Sequence, residues 1–409
     1  MYERTLQRAV FEALADTPAV FVQGARQVGK TTLVRDLGVR PAAGAPGRRY
    51  LSLDDANVLA AASADPAGFL AALREPVVLD EVQRVPALAL TLKAEIDRDR
   101  RPGRFLLTGS ARLLTVPQLS EALVGRMELL TLWPLSQREI SGGRSNLVDR
   151  LFAGEVAEAR EPAPRDLWAS LIAGGFPEAL ARSSPERRRR WFESYLTTLL
   201  QREVRELSRI EDLAALPRLL ALCAARTAQT VNVADLSRDS GIPQTTLHRY
   251  LALLEGVFLI HFLPAWSANL GKRLVRAPKL HLVDSGLAAH LLGVGGEPAG
   301  TIRGSLFESF VVNEILRLRD LSAGRPVAFH FRVHGGREVD LVLEDRAGRL
   351  VGIEVKAAAT VTGRDFGGLR TLQEAVPERF LAGAVIYTGP EVLPFGQDLY
   401  AVPVSALWV

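Results

Sequence analysis

Ten residues constrain this chain more than any others: GARQVGKTTL, positions 24–33, directly after the apolar run Ala19 to Val22. Gly24, Gly29, Lys30 and Thr31 satisfy the spacing G-x-x-x-x-G-K-[ST]. A strand, a glycine turn and a helix start in that order bring backbone N–H groups together on one phosphate, with the positive end of the helix dipole aimed at the same point. Gly24, Ala25, Arg26, Gln27, Val28, Gly29, Lys30, Thr31 and Thr32 are therefore the expected ATP-binding loop. Lys30 is expected to reach the β- and γ-phosphates, and Thr31 to hold Mg²⁺.

A second apolar strand, PVVLDEVQ, ends in Asp80 and Glu81. Asp80 is placed to complete the Mg²⁺ shell and Glu81 to polarise the attacking water; an acid-rich helix start reads the same way. A third, RFLLTGSARLL, puts Thr108 and Ser110 where they could touch that water or the γ-phosphate, although both also suit helix caps. Arg126, in EALVGRMELL, is the candidate arginine finger for a neighbouring subunit's nucleotide, a role that demands a homo-oligomer, as a ring or a dimer. The alternative is an ordinary solvated arginine.

The rest of the chain is too long for one core: 409 residues call for two to four domains. Hydrophobic content of 48% and charged content of 23% are those of a globular protein. The single cysteine, Cys223, lies in the apolar stretch LLALCAAR and reads as packing, which points to a reducing compartment. The six histidines have no metal-ligand spacing. The N-terminus lacks an apolar signal region and no stretch suits a bilayer span, so a cytoplasmic location is expected. Arginine far outnumbers lysine at a net charge of +4, which fits phosphate-rich partners without requiring them.

Apolar runs at 19–22, 77–79 and 105–107, with RRYLSLDD as a fourth, read as buried strands of an α/β unit. From about Leu135 helical patterns take over, broken by SGGRSN, EPAPRD and GGFPEALARSSPERRRR. The glycines of GVGGEPAG mark a plausible exposed joint, after which a long amphipathic helix leads into alternating strands.

Taken in order, GARQVGKTTL, YLSLDD, VVLDEVQRVP, FLLTGSARLL, LVGRMELLTLWPLSQRE, GGFPEAL, KLHLVDSGL and REVDLVLE with GIEVKA resemble bacterial and archaeal AAA-type ATPases that carry a restriction-endonuclease-like C-terminal region. One departure is His281, where a tyrosine is often seen. The resemblance implies an α/β chain with a P-loop AAA-type ATPase domain (1–140), a helical lid (141–212), a winged-helix module (213–297) and an α/β restriction-endonuclease-like domain (298–409).

VNVADLSRDSGIPQTTLHRYLALLEG has the form of a helix-turn-helix, with Gly241 at the turn and Gln244, Thr245, Thr246, His248 and Arg249 near the start of the second helix. These side chains suit a major groove or phosphates, though such folds also bind proteins. Arg187 to Arg190 oppose the dipole at a helix start, a position a phosphate partner would relieve; a solvated charge run is the plainer reading. In REVDLVLEDRAGRLVGIEVKA, Asp340 lies on one strand, while Glu354 and Lys356 share one face of the next. That constellation resembles PD-(D/E)-x-K nucleases, in which carboxylates hold Mg²⁺ beside a lysine. Glu308 is the expected extra ligand and Glu314 a weaker one, while a cross-strand salt bridge would account for Lys356 equally well.

These readings lead to an ATP-hydrolysing enzyme that remodels or translocates duplex or branched DNA, four-way junctions among them, with a nuclease-like C-terminal domain. A nucleotide-controlled regulatory switch that neither translocates nor cleaves is the alternative.

Overall fold

The computed structural model describes residues 2–39, 47–112, 125–155, 166–207, 214–269, 276–333 and 336–408, together with 123, 271 and 273. The EPAPRD break lies outside these residues except for Asp166, as do 156–165 and 208–213 of the expected lid and its junction.

Five parallel strands form the first sheet: β1 (Ala19–Gln23), β2 (Arg49–Ser52), β3 (Val77–Asp80), β4 (Phe105–Gly109) and β5 (Met127–Thr131), in the order β2-β3-β4-β1-β5. β1, β3 and β4 are buried along their whole length, as parallel strands covered on both faces must be. Alternation divides their side chains between two cores: Val20, Val22 and Leu106 enter one, and Ala19, Phe21, Phe105 and Leu107 the other. β5 was not legible as a strand, because MELLT is a half-covered edge.

Helices fill the described parts of 137–207, the longest being Pro185–Leu207. Next come a helix (Ala215–Ala225), β6 (Gln229–Thr230), two helices (Val233–Ser240 and Gln244–Gly256), β7 (Ile260–Leu263) and β8 (Lys279–Leu282). β8 is the centre of an antiparallel β6-β8-β7 sheet. After the Gly300–Leu321 helix, a six-stranded mixed sheet runs β13-β14-β12-β11-β10-β9, built from β9 (Val327–Arg332), β10 (Glu338–Glu344), β11 (Leu350–Lys356), β12 (Phe380–Tyr387), β13 (Leu393–Gly396) and β14 (Leu399–Pro403).

GVGGEPAG is largely exposed, as expected of a joint, yet the segments on either side of it interlock. The Trp266 N–H donates to the His330 carbonyl at 2.6 Å and the His330 N–H to the Pro264 carbonyl at 2.8 Å, so the end of β7 runs on into β9. The Gly300–Leu321 helix is also riveted to the segment after β5. Arg317, buried, donates to the Leu135 carbonyl (3.0 Å), the Val283 carbonyl (3.1 Å) and Glu314 (2.6 Å), while Glu314 accepts the Gln137 N–H at 2.8 Å. One hydrophobic core accordingly runs from Leu6 to Trp408.

Three buried histidines lie at this junction. His261 stacks on His281 with ring centroids 5.3 Å apart, and neither ring nitrogen of His281 has a hydrogen-bond partner among the described residues. Burial holds His261 and His330 down to about 4, and His281 well below its ordinary value. All three are neutral in the fold but protonate near 6.5 when unfolded. Their contribution is therefore complete above about pH 6.5 and lost as pH falls towards 4. Glu314, pushed by burial up to about 7, acts in the opposite sense, losing stability as pH rises from its unfolded value. His281→Leu removes one imidazole that makes no hydrogen bond among the described residues. Its melting temperature should exceed wild type by the equivalent of about 1–3 kcal/mol at neutral pH, and by more at pH 5. A melting curve with an unchanged acid slope would show that His281 is not held neutral.

Candidate nucleotide site

The phosphate loop emerges from the C-terminal end of β1, between β4 and β5, where open parallel sheets bind ligands. Two glycines are required there. A Cβ on Gly24 would stand 2.1 Å from the Leu132 carbonyl oxygen, and Gly29 has a φ of +98°. The helix Lys30–Val39 begins at the loop, and the Lys30 ammonium is held at 2.9 Å by the carbonyls of both Gly24 and Ala25. Arg4 braces the outside by donating to the Val28 carbonyl (2.7 Å) and the Trp133 carbonyl (2.6 Å), and pairs with Glu139. Tyr195 of the Pro185–Leu207 helix donates to the Arg26 carbonyl at 3.3 Å.

Asp80, at the end of β3, gathers the site. Its Oδ2 accepts from the Thr31 hydroxyl at 2.9 Å and from the Tyr50 hydroxyl at 2.6 Å, and its Oδ1 accepts from Thr108. Burial, with Asp80 alongside, pushes the Tyr50 hydroxyl up to about 12, so it stays a donor. The Thr31 hydroxyl and the Asp80 carboxylate are hard oxygen donors side by side, a set that suits Mg²⁺. When bound, the ion would neutralise charge on the phosphates.

Glu81 follows in the left-handed region at φ +61°, an uncommon place for a side-chain-bearing residue and one that favours a functional reading. Its N–H donates to the Thr108 hydroxyl at 3.0 Å, and its carboxylate accepts from the Gln83 amide, which also donates to Ser110 at 3.0 Å. Thr108 and Ser110 are thus buried members of the network around the acids. The sequence did not single out Tyr50, Gln83 or Tyr195. Tyr50 lies on β2, which pairs with β3 and brings it diagonally beside Asp80.

A cavity of about 500 Å³ opens beside the loop, lined by Tyr2, Arg4, Gln7, Gly29, Thr32 and Pro177 among others. It has the size and the mixed lining of a nucleoside pocket. Arg126 lies elsewhere. It precedes β5, at the opposite end of the sheet from the loop, and makes a two-pronged pair with Asp97 at 2.8 Å. The structure does not bring it to the nucleotide site of its own chain. Gln244, Thr245, His248 and Arg249 are exposed at the start of their helix, with Thr246 half-buried, as a contact surface requires. Cys223 is fully buried and its thiol is pushed up to about 12, which fits packing.

The acidic cluster expected to hold a second metal is arranged differently. Asp340 and Glu354 stand across from each other on β10 and β11. The cation between Glu308 and Asp340 is Lys279 of β8, at 2.7 and 2.8 Å. Among the described residues no group of three His, Cys, Asp or Glu side chains is placed to hold a metal ion. Glu314, the weaker candidate ligand, is taken up by Arg317 and Gln137.

Residues 16–141 match the model of an AAA domain, while residues 164–297 and 303–407 match two domains of unknown function, DUF8612 and DUF4143. Uncharacterized proteins from Mycobacterium tuberculosis and Mycobacterium bovis are each 32% identical over 400 residues, covering 97% of this chain and 82% of theirs. One from Haemophilus influenzae is 23% identical over 253 residues, covering 59% of this chain and 57% of its own. Among solved structures, the replication initiator DnaA bound to AMPPCP and single-stranded DNA has a TM-score of 0.30 at 14% identity, over 61% of this chain and 86% of that one. A Drosophila ORC bound to DNA has a TM-score of 0.26 at 14% identity, over 71% and 85%. Likenesses that distant say nothing about ligand or substrate. No described helix is long and apolar enough to cross a membrane. The chain belongs to the family of these mycobacterial proteins and carries an AAA-type ATPase domain in residues 16–141.

Proposed function

We propose that this chain hydrolyses ATP with Mg²⁺ and uses the cycle to remodel or translocate duplex or branched DNA, working as a homo-oligomer. The observation that carries the hydrolytic half is the convergence of Thr31, Thr108 and Tyr50 on Asp80, with Glu81 next in the chain and the phosphate loop opposite. Lys30 binds the phosphates, Thr31 and Asp80 hold the ion, and Glu81 takes the proton of the attacking water.

The DNA half rests on the order of elements in 215–282. A helix, a short strand, two helices and two further strands in one antiparallel sheet fit a winged helix, and its second helix of the pair presents Gln244, Thr245, His248 and Arg249 to solvent. That helix also touches the nucleotide module directly. The Arg112 N–H donates to the Gly256 carbonyl at 2.8 Å and its guanidinium pairs with Glu255 at 3.2 Å, three residues after β4. A change at the γ-phosphate felt by Thr108 or Ser110 has a short path to that helix, along the chain to Arg112 and across its bonds to Gly256 and Glu255. To act in a neighbouring subunit, Arg126 would have to leave its pair with Asp97.

One observation favours the second reading, a slow nucleotide-controlled switch. Gln83 donates to Glu81 Oε2 and so holds one of the base's two oxygens. Steady-state ATPase measured with no DNA and with duplex, forked and four-way DNA separates the two. Turnover several-fold higher with DNA, lost with Lys30→Ala and blunted with Arg249→Ala, is expected. Turnover indifferent to every DNA leaves the switch.

A further inference from the structure

We propose that the ammonium of Lys279 is the resident cation of the Glu308–Asp340–Glu354 cluster. It holds the place a divalent metal takes in clusters of this kind, so the C-terminal sheet binds without Mg²⁺ and does not cut. The inference is independent of whether ATP turnover moves DNA.

The geometry is that of a built-in ion. Lys279 is 2% exposed and sits on β8, the central strand of its sheet, paired with Thr230 on one side and Leu263 on the other. Its backbone is thus fixed on both edges. The ammonium meets Glu308 Oε1 at 2.7 Å and Asp340 Oδ1 at 2.8 Å. Both oxygens of Asp340 are engaged, since Oδ2 accepts the Val355 N–H at 2.9 Å. β10 carries one extra residue against β9 between Val339 and Val342, the interval that contains Asp340. Such bulges re-aim a side chain. Lys356 occupies Glu354 Oε1 at 2.9 Å. The buried Glu354 Oε2 has no partner in the described structure.

Charge and composition agree with this. Buried carboxylates need a compensating cation, and a second, mobile divalent ion would have to force Lys279 out of its bonds to Glu308 and Asp340. Of the 50 basic residues only five are lysines, and Lys279 places one of these compact point charges between two carboxylates. The sequence hides this, because Lys279 comes from outside the C-terminal region and looks like the polar first residue of KLHLVD.

The test is Mn²⁺ binding to the full chain without nucleotide, read as loss of the free-ion EPR signal. In wild type, no Mn²⁺ uptake should depend on Asp340, so Asp340→Asn and Glu308→Gln leave the titration unchanged. Lys279→Ala leaves the carboxylates one cation short and should acquire a Mn²⁺ site, lost again when Asp340→Asn is added. Wild-type uptake that disappears in either Asp340→Asn or Glu308→Gln overturns the proposal, and so does Mg²⁺-dependent nicking that Asp340→Asn abolishes. A folded Lys279→Ala that takes up no Mn²⁺ also overturns it. If Lys279→Ala does not fold, the comparison of wild type with Asp340→Asn and Glu308→Gln decides alone.

Discussion

Glu81→Gln is expected to bind ATP as tightly as wild type and to hydrolyse it roughly 10²–10⁴-fold more slowly, the usual contribution of a positioned general base. The reason is the separation of tasks around β3. The Glu81 carboxylate bonds to Gln83, while the loop is held through Asp80 by Thr31, Thr108 and Tyr50. Replacing the acid by its amide keeps the size and removes only the proton acceptor. Asp80→Asn is the contrasting variant. It exchanges an acceptor of three hydrogen bonds for a group with one acceptor oxygen, and should lose Mg²⁺-dependent nucleotide binding together with turnover. Equilibrium binding of a fluorescent ATP analogue, beside single-turnover hydrolysis, reads the two effects separately. Equal loss of binding and turnover in Glu81→Gln would assign Glu81 a structural role, bracing the turn that it makes at positive φ.

The nucleotide site was legible because its chemistry is written locally. A phosphate loop needs its glycines, lysine and threonine within eight positions, and a buried strand ending in two acids needs no partner to be recognised. What the sequence concealed is everything supplied from a distance. Tyr50 reaches Asp80 from 30 residues away, Tyr195 reaches the Arg26 carbonyl from 169 away, and Lys279 reaches Asp340 across 61. None of these has a spacing rule, because the separation is set by how sheets pack. The same holds for β12 to β14, which no motif announced, and for the Gly300–Leu321 helix, whose inward residues Asn313, Glu314 and Arg317 are polar. A polar stripe on a buried helix reads as a site when the partners that satisfy it cannot be seen.

That stripe carries the second large effect. Arg317→Met should cost about 3–5 kcal/mol of folding stability, the range for removing one partner of a buried ion pair. Arg317 satisfies Glu314 and the carbonyls of Leu135 and Val283, and it faces Asp284 at 3.9 Å. Without it, Glu314 and two carbonyls lose a donor and the buried Asp284 loses its nearby cation. The loss should also depend on pH. With Arg317 present the Glu314 carboxyl already titrates at about 7, and removing the guanidinium drives it higher, so the folded variant must keep a proton that the unfolded chain gives up near 4.5. The variant's deficit therefore widens as pH rises from 5 to 8. Adding Glu314→Gln removes the stranded charge while leaving an oxygen for the Gln137 N–H, and should return part of the stability, most visibly at pH 8. Urea unfolding of the four proteins at pH 5.5 and 8 closes the cycle. An Arg317→Met deficit that is independent of pH and untouched by Glu314→Gln would mean that the rivet between the segment after β5 and the Gly300–Leu321 helix is made by apolar packing. In that case the two ends of the molecule are joined by shape, and the buried charges merely tolerate the junction.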